Sequence, residues 1–220
     1  MSDKSFYNEK AGVVLQSFTE EDISLLKKHS DTKRVQLWVV ESQLESLDFL
    51  LDCSHLEELD IYGWKINDFS FLGKMPNLKF LFLNGGTSNN RIECIDFVSN
   101  IISLEHLSIH RYPKVTCFPN LQKLVNLLSV EIGTCKKLSD LSPISFIPNL
   151  QGFGILETPN EVNDLEFIAA KPGMKAMSAQ FGNKKKNDDF NAMIKDMGLH
   201  HGHILRDGSV SCSIDCPICE

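Results

Sequence analysis

The chain has 220 residues, 42% of them hydrophobic, enough to bury a core in one or two domains. Its formal charge of −7 excludes the basic footprint of a general nucleic-acid binder, and argues against docking on an anionic membrane surface. No apolar run reaches membrane-spanning length, and the N-terminal MSDKSFYNEKAG lacks the apolar segment of a signal peptide. The expectation is a cytoplasmic protein, with export by a signal-independent route left open. The seven cysteines fit reduced thiols better than a disulfide framework.

The first thirty-three residues stand apart as an N-terminal cap, 1–33. Within it Ala11 to Leu15 reads as a short strand. Thr19-Glu-Glu-Asp22 before Ile23, Leu25 and Leu26 reads as a capping box opening a helix that ends near Lys28.

From residue 34 a unit recurs. Leu56-x-x-Leu59-x-Ile61 is followed by Leu78-x-x-Leu81-x-Leu83, and further copies begin at Leu104, Leu127, Leu150 and Met174, with a first one at Arg34 (Leu37, Val39). The steps are 22, 22, 26, 23, 23 and 24 residues. Between copies a second apolar triplet keeps a constant offset: Leu44/Leu47/Leu50, Ile66/Phe69/Leu72, Ile92/Ile95/Val98, Val115/Phe118/Leu121, Leu138/Leu141/Ile144 and Val162/Leu165/Ile168. Each unit is one strand and a return turn, neither able to bury its leucines alone, so stacking makes a continuous core. Apolar residues at every third position suit a 3₁₀-like return. The predicted fold is an α/β leucine-rich-repeat solenoid: a curved parallel sheet of about seven strands on the concave face, with irregular turns on the convex side. The repeats span 34–186. A C-terminal cap, 187–220, follows, with a helix from Asn187 to Met197 that has its N-cap at Asn187 or Asp188, a hairpin about Asp207-Gly208, and a cysteine-rich tail.

The segments KINDFSFLGKMPNL and KLSDLSPISFIPNL resemble the short 22-residue repeats of internalin-type bacterial proteins, through the Asp-x-Ser-Pro turn and the Pro-Asn-Leu lead-in. The resemblance covers roughly Arg34 to Phe181 and implies a curved solenoid that grips another protein. One departure stands out. The buried asparagine after the strand is replaced by Trp64, Gly86, Tyr112, Cys135 and Thr158, so its hydrogen-bond ladder must be weakened or replaced.

Alternation along each strand turns three rows outward. The first is Gln36, Glu58, Phe80, His106, Ser129, Gly152, Ala176. The middle is Trp38, Asp60, Phe82, Ser108, Glu131, Gly154, Ser178, and the third is Val40, Tyr62, Asn84, His110, Gly133, Leu156, Gln180. Trp38, Asp60, Tyr62, Phe80 and Phe82 therefore share a patch roughly 10 to 15 Å across. Clustered aromatics of this kind anchor protein interfaces. The expected partner-binding set is Trp38, Glu58, Asp60, Tyr62, Phe80 and Phe82, with His106 and His110 at the rim. A register slipped by one, or a cap folded over the rings, is the bland alternative. Gly152 and Gly154 thin the face for a partner loop, for the chain's own tail, or merely for packing. Cys94 and Cys117, equivalent in adjacent turns, are expected to be small buried thiols.

The tail offers one metal-like spacing, Cys212-x₃-Cys216-x₂-Cys219 with His203 nearby, a Cys₃His set suited to tetrahedral zinc. It is a lone half-motif, so no cofactor is expected, and a zinc-binding or redox-responsive module stands as the alternative function. No nucleophile, phosphate-loop or metalloprotease motif occurs, and no enzyme is predicted. The reading is a monomeric, non-catalytic module that binds another protein, neither nucleic acid nor membrane, with an inhibitor or immunity-type role as its narrowest form.

Overall fold

The computed structural model describes residues 5–16, 18–39, 46–63, 68–86 and 90–212. Among these residues, one open eleven-stranded sheet runs in chain order. Its strands are β1 (Phe6–Asn8), β2 (Gly12–Leu15), β3 (Arg34–Val39), β4 (Glu58–Gly63), β5 (Phe80–Asn84), β6 (His106–His110), β7 (Ser129–Gly133), β8 (Gly152–Leu156), β9 (Ala176–Gln180), β10 (His200–Ile204) and β11 (Val210–Cys212). Strands β2 to β10 are parallel; the outer pairs β1/β2 and β10/β11 are antiparallel. Each terminal hairpin places a short strand on an edge that would otherwise extend the stack.

The sheet stays parallel because the returns between its repeat strands cross the convex side, several of them through 3₁₀ turns such as Ser70–Lys74, Asp96–Asn100 and Ser142–Phe146. The inward strand positions are closed: Leu59, Leu81, Leu107, Val130 and Phe153 are at most 2% exposed. From the return turns, Leu72, Val98, Leu121, Ile144 and Ile168 meet them at 0%. Full burial of such a side chain stabilises by about 1.5–3 kcal/mol, so the stacked rows are the main source of stability.

The register corrects the first repeat. Arg34 pairs with Glu58, Gln36 with Asp60 and Trp38 with Tyr62, so the unit is anchored on Thr32, Val35 and Leu37 with a step of 24 residues. Both alignments send the same residues inward, because a shift of two preserves the face of a strand. Hydrophobicity alone could not separate them. Thr32 takes the leucine position at 8% exposure, its hydroxyl donating to Arg34 O at 3.0 Å. Val40, Leu44, Trp64 and Ile66 lie outside the described residues.

The asparagine ladder has moved to the other end of the strand. In the Pro-Asn-Leu lead-ins and their equivalent, the Nδ2 groups of Asn77, Asn126 and Asn149 donate to Ser54 O, Ile102 O and Val125 O, one turn back, at 2.8, 3.3 and 2.7 Å. After the strands, Arg111, Thr134 and Glu157 take left-handed φ values of 59°, 54° and 49°. Such residues cost about 1 kcal/mol or more each. Here their N–H groups extend the sheet ladder to Gly133 O, Leu156 O and Gln180 O, and the turn drives Tyr112 and Cys135 into the core.

Helix α1 (Glu20–Lys28) opens with the expected box: Asp22 N–H donates to Thr19 Oγ1 and Thr19 N–H to Asp22 Oδ2. A single-turn α2 (Glu166–Ala169) closes a later return. Helix α3 (Lys184–Asp196) begins before the expected position, because Asn183 caps it by accepting from Lys186 N–H; Asn187 instead accepts from Phe181 N–H. Gly198, at φ 70°, ends it. Two exposed thiols also differ from expectation. Cys94 and Cys117 lie on the convex surface in a position otherwise held by Asp68 and Asp140, whose side chains cap the 3₁₀ turns. Cys94 takes the capping role, with Asp96 N–H at 3.4 Å from Sγ.

Candidate functional site

The corrected register sets the concave rows. Arg34, Glu58, Phe80, His106, Ser129, Gly152 and Ala176 form the first; Gln36, Asp60, Phe82, Ser108, Glu131, Gly154 and Ser178 the second; Trp38, Tyr62, Asn84, His110, Gly133, Leu156 and Gln180 the third. Trp38 thus stands beside Tyr62 rather than Asp60. The two rings stack at 4.1 Å with 4° between planes. Phe82 continues the file at 5.0 Å from Tyr62, and His110 follows at 5.3 Å from Phe82. A second, shorter stack joins Phe80 to His106 at 4.7 Å. Contacts in this range are worth about 0.5–1.5 kcal/mol each beyond burial, so the rings hold one another in place. Trp38 remains 39% exposed at the open end.

The carboxylates are engaged within the chain. Arg34 reaches Asp60 Oδ2 through Nη2 at 3.1 Å and faces Glu58 Oε2 through Nε at 3.4 Å. That second contact is an ion pair without good hydrogen-bond geometry, for both atoms are buried and lack a hydrogen-bond partner. Burial first, then the Asp60 charge, pushes the Tyr62 phenol above its ordinary value. Further along, His110 Nε2 lies 2.9 Å from Ser108 Oγ and 3.4 Å from Glu131 Oε1. Its hydrogen bond to Glu131 leads the causes that hold that carboxyl below the usual range. The His110 imidazole occupies the space over Gly133, where a Cβ would stand 2.1 Å from Nδ1. His106 pairs through Nδ1 with Ser129 Oγ at 2.7 Å, and burial lowers its pKa.

The remaining wall of the site comes from β10 and the turn after it. Only His200 and His201 pair with β9. The chain then crosses back over the concave face, so that Gly202 to Arg206 and the sheet enclose a cleft of about 280 Å³ with Asp60, Phe80, Phe82, His106 and Glu131 on its floor. Gly152 admits this crossing: a Cβ there would lie 2.6 Å from Ile204 Cγ1. At the far end the Arg206 guanidinium rests 4.8 Å over the Phe80 ring, and its Nη1 donates to Glu58 Oε1. The tail fold over the thinned face was one of the readings left open by the two glycines. Sequence gave no sign of how far it reaches.

In the cysteine tail, Cys212 Sγ lies 3.3 Å from His200 Nδ1. His203 does not share that face. It pairs with Ser211 in the hairpin while Cys212 opposes Gly202, and it lines the cleft beside Glu131. Cys216 and Cys219 lie outside the described residues. Among the described residues no group of three or more histidine, cysteine or acidic side chains is arranged to hold a metal ion, and no helix is long and apolar enough to cross a membrane.

No family profile matches the sequence. An Arabidopsis thaliana protein described as a probable disease resistance protein is 34% identical over 149 residues, covering 66% of this chain and 14% of that protein. Among solved structures, that of the Drosophila Toll–Spatzle complex matches with a TM-score of 0.52 at 15% identity, over 72% of this chain and 22% of that one. Two Listeria monocytogenes internalins align at 18% and 14% identity with TM-scores of 0.43 and 0.37, over 71% and 81% of this chain and 50% and 81% of theirs. The chain therefore spans a small part of the Arabidopsis protein and of the Toll chain. With a parallel strand and a return turn repeating along a continuous apolar core, and with the Toll structure as a neighbour at the level of fold, the chain has the leucine-rich-repeat fold.

Proposed function

We propose that this protein is a non-catalytic module that grips another protein on its concave face. The observation that supports this reading best is the file Trp38, Tyr62, Phe82 and His110 on four adjacent strands, preassembled by ring stacking and open at Trp38. Rigid aromatics on a stiff sheet lose little freedom when a partner covers them, which is what interface anchors require. Trp38, Tyr62 and Phe82 are the anchors. Phe80, Glu58 and Asp60 contribute beside them, and His106 and His110 shape the floor. The chain's −7 charge favours a basic partner. The Toll structure, solved with Spatzle bound, offers a parallel at the level of fold. The narrowest version is an inhibitor or immunity-type role, in which the groove covers the working surface of a toxin or enzyme in the cytoplasm.

Replacing Trp38 and Phe82 together by Asp tests this. Partner capture from the native cell should be lost while the circular dichroism spectrum is kept. Undiminished capture by that variant would sink the concave-face assignment.

A second reading is favoured by the Cys212–His200 contact: a zinc-binding or redox-responsive tail in which His200 takes the place expected of His203. Metal analysis of the purified full chain should then give one zinc, absent from a Cys212→Ser variant. A metal-free native protein removes the zinc form of this reading.

A further inference from the structure

The segment lying in the concave face belongs to the chain itself, and its tip ends in arginine. Ile204 anchors the crossing at 6% exposure, in the gap left by Gly152. The neighbouring Leu205 is 46% exposed, so apolar packing stops there. Arg206 lies beyond it, its side chain 56% exposed, held by the Phe80 ring face and by Glu58. Contacts of this exposed kind shift an equilibrium only several-fold, so the tip is held far more loosely than the Ile204 anchor.

The seat under Arg206 is better made than its occupant requires. Phe80 is stacked on His106, which fixes the ring plane. Glu58 is 17% exposed and pinned from the opposite side by Arg34, which also pairs with Asp60. A fixed aromatic face next to a fixed carboxylate suits a planar guanidinium better than an ammonium, because only the former stacks and bonds in one plane. Charge points the same way. Without the Arg206 side chain, Glu58, Asp60 and Glu131 against Arg34 leave this part of the concave face at −2; the Arg206 guanidinium brings it to −1.

We infer that Arg206 is an internal stand-in for a partner's arginine: the concave face recognises an arginine-presenting basic segment that displaces the hairpin tip and takes the seat between Phe80 and Glu58. This rests on the concave-face reading above. The ring file from Trp38 to His110 would run alongside the incoming segment, and the exposed Leu205 would be freed with the tip.

The test uses the full chain and two short probes, acetyl-Gly-Arg-Gly-amide and its lysine counterpart, titrated to concentrations on the order of 10 mM while the Phe80 ring resonances are followed. Arg206→Ala should bind the arginine peptide several-fold more tightly than the native chain does, since the internal competitor is gone. The lysine peptide should bind more weakly to both, and adding Glu58→Gln should remove the gain. Equal affinity for native and Arg206→Ala chains, equal response to lysine, or no Phe80 response in Arg206→Ala overturns the inference. Arg206→Lys, which keeps the charge without the planar fork, should fall between native and Arg206→Ala. The Trp38→Asp, Phe82→Asp variant separates the two ideas. If partner capture is lost there but the peptide ignores Arg206→Ala, only the stand-in fails. If capture persists, the concave-face reading fails and the inference falls with it.

Discussion

Gly152→Val is the sharpest perturbation of the hairpin that crosses the concave face. Valine suits the strand conformation of β8, so the substitution acts through space rather than through the backbone. A Cβ at this position would stand 2.6 Å from Ile204 Cγ1 and 3.3 Å from Ile204 Cβ, and the branched methyls add to the overlap. Ile204 cannot swing away by a terminal rotation, because the contact falls at its branch. Relieving such overpacking costs about 1–3 kcal/mol. Against this stand the burial of Ile204, about 1.5–3 kcal/mol, and the exposed Arg206 contacts, about 0.5–1 kcal/mol. The two sides are of similar size, so the hairpin should spend much of its time undocked while the repeats stay folded. Methyl NMR gives the readout: the Ile204 resonances should move toward solvent-exposed values and the Phe80 ring signals should change as Arg206 departs. Unchanged Ile204 and Phe80 signals would refute the close approach at Gly152.

Three further outcomes follow from other parts of the molecule. Burial lowers the His106 pKa, so the unfolded chain binds more protons there below its ordinary value of about 6.5. Stability should therefore fall as pH drops through and below that point, and denaturant melts of His106→Gln should lose this component. Maleimide should label Cys94 and Cys117 in the native fold, whereas Cys53, its thiol pushed up to about 11 by burial, and Cys135 should label only on unfolding, as peptide mapping would show. Asn149→Ala removes the 2.7 Å bond to Val125 O and should lower stability by about 1 kcal/mol; a melt within error of the native chain would mean the displaced ladder carries no weight.

The scaffold was legible because it is written locally. Leucines spaced three and two apart, with a second triplet at fixed offset, admit one way of burying both sets. The same logic failed at the first repeat, where Thr32 stands in a leucine position and Arg34, Leu37 and Val39 imitate the pattern two residues later. That slip set Trp38 beside Asp60 instead of Tyr62 and hid the ring stack. The ladder shift is half visible in the sequence: Pro-Asn-Leu stands out as a lead-in, yet nothing local ties its asparagines to the hydrogen bonds missing after the strands. The hairpin was the least legible feature. Its contacts join Arg206 to Glu58, residues 148 apart in sequence, and no local pattern encodes such a pairing. The one signal was negative, the missing side chains at Gly152 and Gly154. Glu58 and Asp60, expected in the partner-binding set, are held within the chain, both by Arg34 and Glu58 also by Arg206.

The claim that the concave face is the working surface is tested most directly by photo-cross-linking in the native cell. A photoreactive phenylalanine placed at Tyr62, within the ring file, is compared with one at Phe146, 58% exposed on a convex turn. A partner adduct from position 62 and none from 146 is the predicted result. An adduct from 146 with none from 62 would contradict it.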